Sequence, residues 1–130
     1  MRVLLADDEK VYVDSLAKVL RRRGIESVTV YDGGSAAERH SKEEFDVIVL
    51  DLRMPGMDGL ATLDMIRRRD SLTPVLLLTG HADLGGTTMA LKSGAADVLL
   101  KPCPLDTLVS AIEDACERKR FAKELDKPGG

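Results

Sequence analysis

Tryptophan is absent from this sequence, and aromatic residues make up 3% of it. A surface that stacks nucleic-acid bases needs such rings, so that class of function is disfavoured. Cysteine is scarce as well. Cys103 and Cys116 show no metal-ligand spacing, and both are expected to stay reduced in a cytosol. No apolar run approaches the ~18 residues that a membrane span needs, so no membrane contact is expected. Met1 leads straight into Arg2-Val3-Leu4-Leu5 without a signal-peptide pattern, and the expected location is cytoplasmic. Basic excess is missing too. The net charge is −3, which gives no general reason to bind nucleic acid or an acidic membrane directly.

What is present is a chain of 130 residues, 44% hydrophobic and 32% charged. Those values describe one globular domain of ordinary size with a real core. The domain is expected over residues 1–124, with 125–130 as a tail or linker stub. Arg2 to Asp7 predicts a buried strand. Residues 9–23 predict a helix, with Val13, Leu16, Ala17 and Leu20 at helical spacing and Gly24 as its stop. Ile25 to Val30 alternates like a strand near a sheet edge. Asp32-Gly33-Gly34-Ser35 reads as a turn and cap before a short helix ending near Ser41. Phe45 to Leu50 predicts a third strand, and Asp58 can cap a helix carrying Leu60, Leu63 and Ile66. Pro74 to Leu78 predicts a fourth strand, ending at Thr79. Leu84 to Ser93 is a weaker helix stopped by Gly94, and Asp97 to Leu100 a short fifth strand. Pro104 starts a last helix with Leu105, Leu108, Ile112 and Ala115 on one face.

Five strands alternating with five helices predict an α/β fold, a parallel sheet covered on both faces. Right-handed crossovers leave the flavodoxin-like, doubly wound order 2-1-3-4-5 as the common solution at this size. The stretch Val47-Ile48-Val49-Leu50-Asp51 fits its centre, because its branched apolar run suits a strand buried on both sides. Asp51 then stands at the carboxyl end of that strand, where such sheets place their chemistry. Asp7 and Asp8 follow strand one, Thr79 ends strand four and Lys101 follows strand five. All five collect at one edge. Two like charges ~4 Å apart cost on the order of 4 kcal/mol at an effective dielectric near 20. Three carboxylates there must hold a proton or a cation. An all-oxygen set without His or Cys suits a hard divalent ion, Mg²⁺ foremost. Taken singly, each Asp is as well explained as a cap.

The basic runs Arg21-Arg22-Arg23, Arg67-Arg68-Arg69 and Arg118-Lys119-Arg120 fall towards helix C-termini, which favour cations. They predict a molecule that is acidic at the Asp51 edge and basic at the other. A nucleic-acid reading of these runs is weak, since they lie on separate helices with no recognition motif beside them.

Four pieces, in order, resemble the receiver domain of two-component response regulators: Leu4-Leu5-Ala6-Asp7-Asp8-Glu9, Val49 to Gly59, Leu77-Leu78-Thr79-Gly80-His81 and Leu100-Lys101-Pro102. The resemblance covers nearly the whole chain. It implies that Asp51 accepts a phosphoryl group from a phosphohistidine on a sensor histidine kinase or phosphotransfer protein. It further implies Mg²⁺ held by Asp7, Asp8, Asp51 and the backbone carbonyl of Arg53. Thr79 corresponds to the hydroxyl, and Lys101 to the ammonium, that contact phosphoryl oxygens. The domain would catalyse its own phosphorylation and slow dephosphorylation, and would signal to an output domain or downstream protein through its fourth and fifth helices. A phosphorylation-dependent homodimer is compatible with this. Lys101-Pro102 resembles the family's cis peptide, and His81 reads as a rim residue or a plain loop histidine.

The chain departs from the family at Val98, three residues before the lysine, where an aromatic switch residue is usual. Gly85-Gly86-Thr87-Thr88 is also a poor helix start, glycine costing ~1 kcal/mol each against alanine. Residues 81–89 are therefore expected to be ordered by phosphorylation. Two alternatives stand beside the switch reading. A haloacid-dehalogenase-like Mg²⁺ phosphatase wants a second Asp two residues after the nucleophile, where this chain has Arg53. A receiver-like module that is never phosphorylated has no need of all five edge residues.

Overall fold

The structure, a computed structural model, describes residues 1–80 and 84–125, Leu84 by its backbone. Five strands, β1 (Arg2–Ala6), β2 (Glu26–Val30), β3 (Val47–Leu50), β4 (Val75–Thr79) and β5 (Asp97–Leu100), alternate with five helices. The helices are α1 (Lys10–Arg22), α2 (Gly33–Lys42), α3 (Gly59–Arg69), α4 (Leu84–Lys92) and α5 (Leu105–Leu125). The sheet is parallel throughout, in the order β2-β1-β3-β4-β5. This is the doubly wound, flavodoxin-like arrangement expected from the alternation of elements.

Side chains alternate across a strand, so each central strand feeds two cores. Val3, Leu5, Val47, Val49, Leu76 and Leu78 face Val13, Ala17 and Leu20 of α1 and Leu108 and Ile112 of α5. Leu4, Ala6, Ile48, Leu50, Val75 and Leu77 face Ala36 of α2, Leu63 and Ile66 of α3 and Ala90 of α4. Each fully buried Leu or Ile contributes about 1.5–3 kcal/mol. The sheet centre is thereby fixed in register: Leu5 lies opposite Thr29 on one side and Val49 on the other.

The helices begin where their caps direct. The Asp58 carboxylate accepts the Ala61 N–H at 2.9 Å, and Asp32 accepts that of Ser35 at 2.6 Å. The Asp32 cap moves the start of α2 forward: the helix begins at Gly33, inside the stretch expected to be a turn. A Cβ at Gly33 would collide with the Met57 carbonyl and the Thr62 hydroxyl, so glycine allows α2 to close on α3.

The third basic run also departs from expectation. α5 continues to Leu125, so Arg118-Lys119-Arg120 lies inside the helix, not at its end, and Lys119 is buried. The first two runs do close their helices, with Arg21 and Arg22 in the last turn of α1 and Arg67, Arg68 and Arg69 in that of α3, and other cations at the amino edge of the sheet are paired with acids. Arg2 Nη2 meets Glu43 at 2.5 Å, Lys123 meets Glu44 at 2.6 Å and His40 meets Asp70 at 3.0 Å. The expectations for His81 and for the tail 126–130 lie outside the described residues, as does part of the segment 81–89.

Candidate phosphoacceptor site

β1 and β3 end side by side. The Asp51 N–H donates to the Ala6 carbonyl at 3.0 Å, and the Asp7 N–H to Val30 at 3.2 Å. These bonds bring both aspartates off their strands at the same level. Asp51 is 2% exposed and Asp7 4%, whereas Asp8 is exposed. Carboxylate oxygens of Asp7, Asp8 and Asp51 lie within 4.8 Å of one another. An all-oxygen triad of this kind, two of its carboxylates buried and one exposed, fits a hard divalent cation.

Lys101 enters from the end of β5. Its N–H donates to the Thr79 carbonyl at 3.0 Å, extending the β4–β5 ladder. The Lys101-Pro102 peptide is cis. The Lys101 ammonium donates to Asp7 Oδ2 at 2.6 Å and to Asp51 Oδ2 and Glu9 Oε1 at 3.2 Å each. It also lies 4.6 Å from the centre of the Tyr12 ring. Burial alone would push this ammonium down, but its bond to Asp7 and the charges of Asp7 and Asp51 hold it above its ordinary range. Burial raises the Asp7 carboxyl and outweighs the opposing Lys101 and the Glu9 N–H, with Asp51 adding repulsion. Burial likewise pushes the Tyr12 hydroxyl up.

The chain around Asp51 is pressed into place from behind. A Cβ on Gly59 would run into the Asp51 carbonyl and the Leu52 Cα, so only glycine lets α3 start this close to the site. The N–H of exposed Arg53 points back to Asp51 Oδ1 at 3.4 Å, a long contact. Thr79 is fully buried at the end of β4, and exposed Gly80 follows it.

Five of the residues singled out from the sequence therefore meet at one edge: Asp7, Asp8, Asp51, Thr79 and Lys101. Arg53 is beside them through its backbone. Val98 is not. It sits on β5 opposite Leu77, half-buried against the α3 side of the core. Two partners of Lys101 were not assigned roles from sequence, Glu9 and Tyr12. The signal for Glu9 was its place directly after the acidic pair. Tyr12 offered only its position on the first turn of α1.

A parallel five-stranded sheet of this order, with an acidic triad and a lysine at its carboxyl edge, defines a receiver domain. The family model described as the response regulator receiver domain matches residues 3–113, and the chain belongs to that family. It is 35% identical over 123 residues to the C4-dicarboxylate transport transcriptional regulatory protein DctD of Pseudomonas aeruginosa, covering 95% of this chain and 27% of that protein. It is 36% identical over 113 residues to the DNA-binding transcriptional regulator NtrC of Escherichia coli, covering 87% of this chain and 24% of that protein. Among solved structures it resembles the Francisella response regulator 1452 receiver domain at 32% identity and a TM-score of 0.84, over 90% of this chain and 97% of that one. The chain thus spans about a quarter of the length of those two regulators. It is a signalling domain and not an enzyme in the ordinary sense, and the phosphatase alternative is not favoured. Among the described residues, no helix is long and apolar enough to cross a membrane.

Proposed function

We propose that Asp51 is the phosphoryl acceptor of this receiver. The supporting observation is a nearly fully buried carboxylate at the end of the central strand, 3.2 Å from an ammonium and beside two further acids. One Asp51 oxygen attacks the phosphorus of a phosphohistidine on a sensor histidine kinase or phosphotransfer protein. The P–N bond breaks, its electron pair stays on the imidazole, and the aspartyl phosphate forms. Lys101 shifts from Asp7 to a phosphoryl oxygen, and the Thr79 hydroxyl donates to another. Asp7, Asp8, Asp51 and the Arg53 carbonyl would hold Mg²⁺, which neutralises charge on the transferring group. Receiver domains use Mg²⁺ in general, and the donor set here suits it. Water attack on the same phosphorus returns the free carboxylate slowly.

The signal leaves through α4, β5 and α5, where Met89, Leu91 and Leu100 stand exposed. Val98 replaces the usual aromatic, so α4 itself is the moving part in this reading. The receiver occupies residues 1–124, acts in the cytoplasm, and passes its state to an output domain or downstream protein, with or without a homodimer. NtrC is named a DNA-binding regulator. The expected lack of nucleic-acid contact therefore concerns this stretch alone and not a longer protein around it. Incubation with acetyl phosphate and Mg²⁺, followed by intact mass, tests the assignment. Wild type should gain one phosphoryl group and Asp51→Asn none. An equal gain in both would overturn it.

A further inference from the structure

Among the described residues, four groups surround the Lys101 ammonium, and two of them are engaged elsewhere once the site is loaded. Asp7 Oδ2 at 2.6 Å and Asp51 Oδ2 at 3.2 Å belong to the two buried members of the acidic triad. A divalent cation on that triad draws on both carboxylates and repels an ammonium resting between them. Outside the triad stand the Glu9 carboxylate, at 3.2 Å, and the ring of Tyr12. Lys101 has to stay beside Asp51 if its ammonium is to meet a phosphoryl oxygen, so one of these two must hold it there.

The two are unequal. The Glu9 side chain is 61% exposed, and an ion pair with such a carboxylate is screened and weak. Tyr12 is half-buried on α1, where it packs with Leu16 against the core that holds Val49 and Leu78. The void behind it, lined by Leu16, Val49 and Leu78 with Asp7 and Asp51, measures about 10 Å³, at the lower limit for a single water. The ring centre lies 4.6 Å from the ammonium, inside the roughly 6 Å at which an aromatic face attracts a cation. That attraction strengthens where water is excluded, and the Lys101 side chain is 14% exposed. A hard divalent ion takes oxygen ligands and does not compete for a ring face. Among the described residues the Tyr12 hydroxyl has no hydrogen bond, so the face is what this residue offers the site.

We propose that Tyr12 is a positioning residue for phosphoryl transfer: its ring face keeps the Lys101 ammonium beside Asp51 when a divalent cation takes Asp7. The proposal rests on Asp51 as the phosphoryl acceptor. Tyr12 acts through Lys101 and has no contact of its own with the phosphoryl group.

Two measurements on the full chain test this. The first follows the Lys101 ε-methylene protons by NMR, which a ring face shifts upfield. They should stay upfield both without Mg²⁺ and at saturating Mg²⁺ in wild type and Tyr12→Phe, and lose the shift in Tyr12→Leu. Loss of the upfield shift in wild type on adding Mg²⁺ overturns the proposal. The second is the rate of phosphorylation by acetyl phosphate at saturating Mg²⁺. Tyr12→Phe should match wild type, and Tyr12→Leu should be slower by about threefold or more. Fluorinating the phenylalanine ring at this position withdraws charge from its face with little change of shape, so each added fluorine should slow the reaction further. Equal rates across the fluorinated series overturn the proposal, and that series decides if Tyr12→Leu fails to fold. A wild type that gains no phosphoryl group would instead remove the Asp51 assignment, and the positioning role with it, while the Lys101 shift remained.

Discussion

Replacing Lys101 by methionine removes the one ammonium among the described residues that reaches both buried carboxylates of the site. Asp7 and Asp51 are 4% and 2% exposed, and the ammonium stands 2.6 and 3.2 Å from them. Removing one partner of such a cluster costs about 3–5 kcal/mol. The cost has a ceiling, because a carboxyl that cannot stay charged takes up a proton. Starting from the ordinary value of 3.8 for Asp7, protonation costs about 4 kcal/mol at pH 7 and about 1.6 kcal/mol at pH 5, at about 1.36 kcal/mol per unit. Lys101→Met should therefore lose about 3–4 kcal/mol at pH 7 but under about 2 kcal/mol at pH 5. The sign follows from linkage. A carboxyl raised in the folded state binds more protons there than when unfolded, so stability falls as pH climbs from 3.8 through the raised value. Urea unfolding of both proteins at the two pH values, with a chelator present, measures this. A loss equal at both pH values, or below about 1 kcal/mol at pH 7, would refute the view that Lys101 neutralises the acidic edge. Added Mg²⁺ should stabilise the variant more than wild type, since no ammonium competes for Asp7.

Other substitutions follow from the same geometry. Gly59→Ala should destabilise by about 3 kcal/mol or more, because its Cβ meets backbone and not a flexible side chain; an urea midpoint within error of wild type would contradict this. Arg67 donates to the carbonyls of Gly94, Asp70 and Thr73, so Arg67→Met should cost about 2–3 kcal/mol and speed amide exchange at the α4–β5 junction. Asp70 is held below its ordinary value, so its contribution is full above 3.8 and fades as pH falls below it. Asp70→Asn should flatten the acid limb of the stability profile there, seen by thermal melts from pH 6 to 3. In α4, amide exchange should slow when a phosphoryl mimic is bound; equal protection in both states would remove α4 as the moving part.

The acidic edge was legible because its residues follow apolar runs, and the ends of parallel strands share one side. Asp7, Asp51, Thr79 and Lys101 needed only strand assignment and strand order to be brought together. The opposite edge was not legible in the same way. His40, Asp70 and Lys119 come from three elements whose approach depends on helix lengths and on how tightly α2 closes on α3. Lys119 did carry a signal. It continues the spacing of Leu108, Ile112 and Ala115 and so falls on the buried stripe of α5, but as one of three consecutive basic residues it reads as a solvated helix end. Glu9 and Tyr12 were hidden for another reason. Their roles come from the reach of one long side chain, which no periodicity records.

The alternation along β3 sets how this chain can change in length. Val47 and Val49 belong to one core, Ile48 and Leu50 to the other, and Asp51 is reached by counting on from them. One residue inserted or deleted within that strand would exchange every contact between the two sides and turn Asp51 out of the site. The segment Leu72-Thr73-Pro74 lies outside β4 but is tied to the same pairing, because the Pro74 carbonyl accepts the Ile48 N–H at 3.0 Å and Asp70 accepts from the Leu72 and Thr73 N–H groups. Descent of such sequences should therefore hold the strands and these flanks constant in length, with gaps gathered in exposed connections away from them.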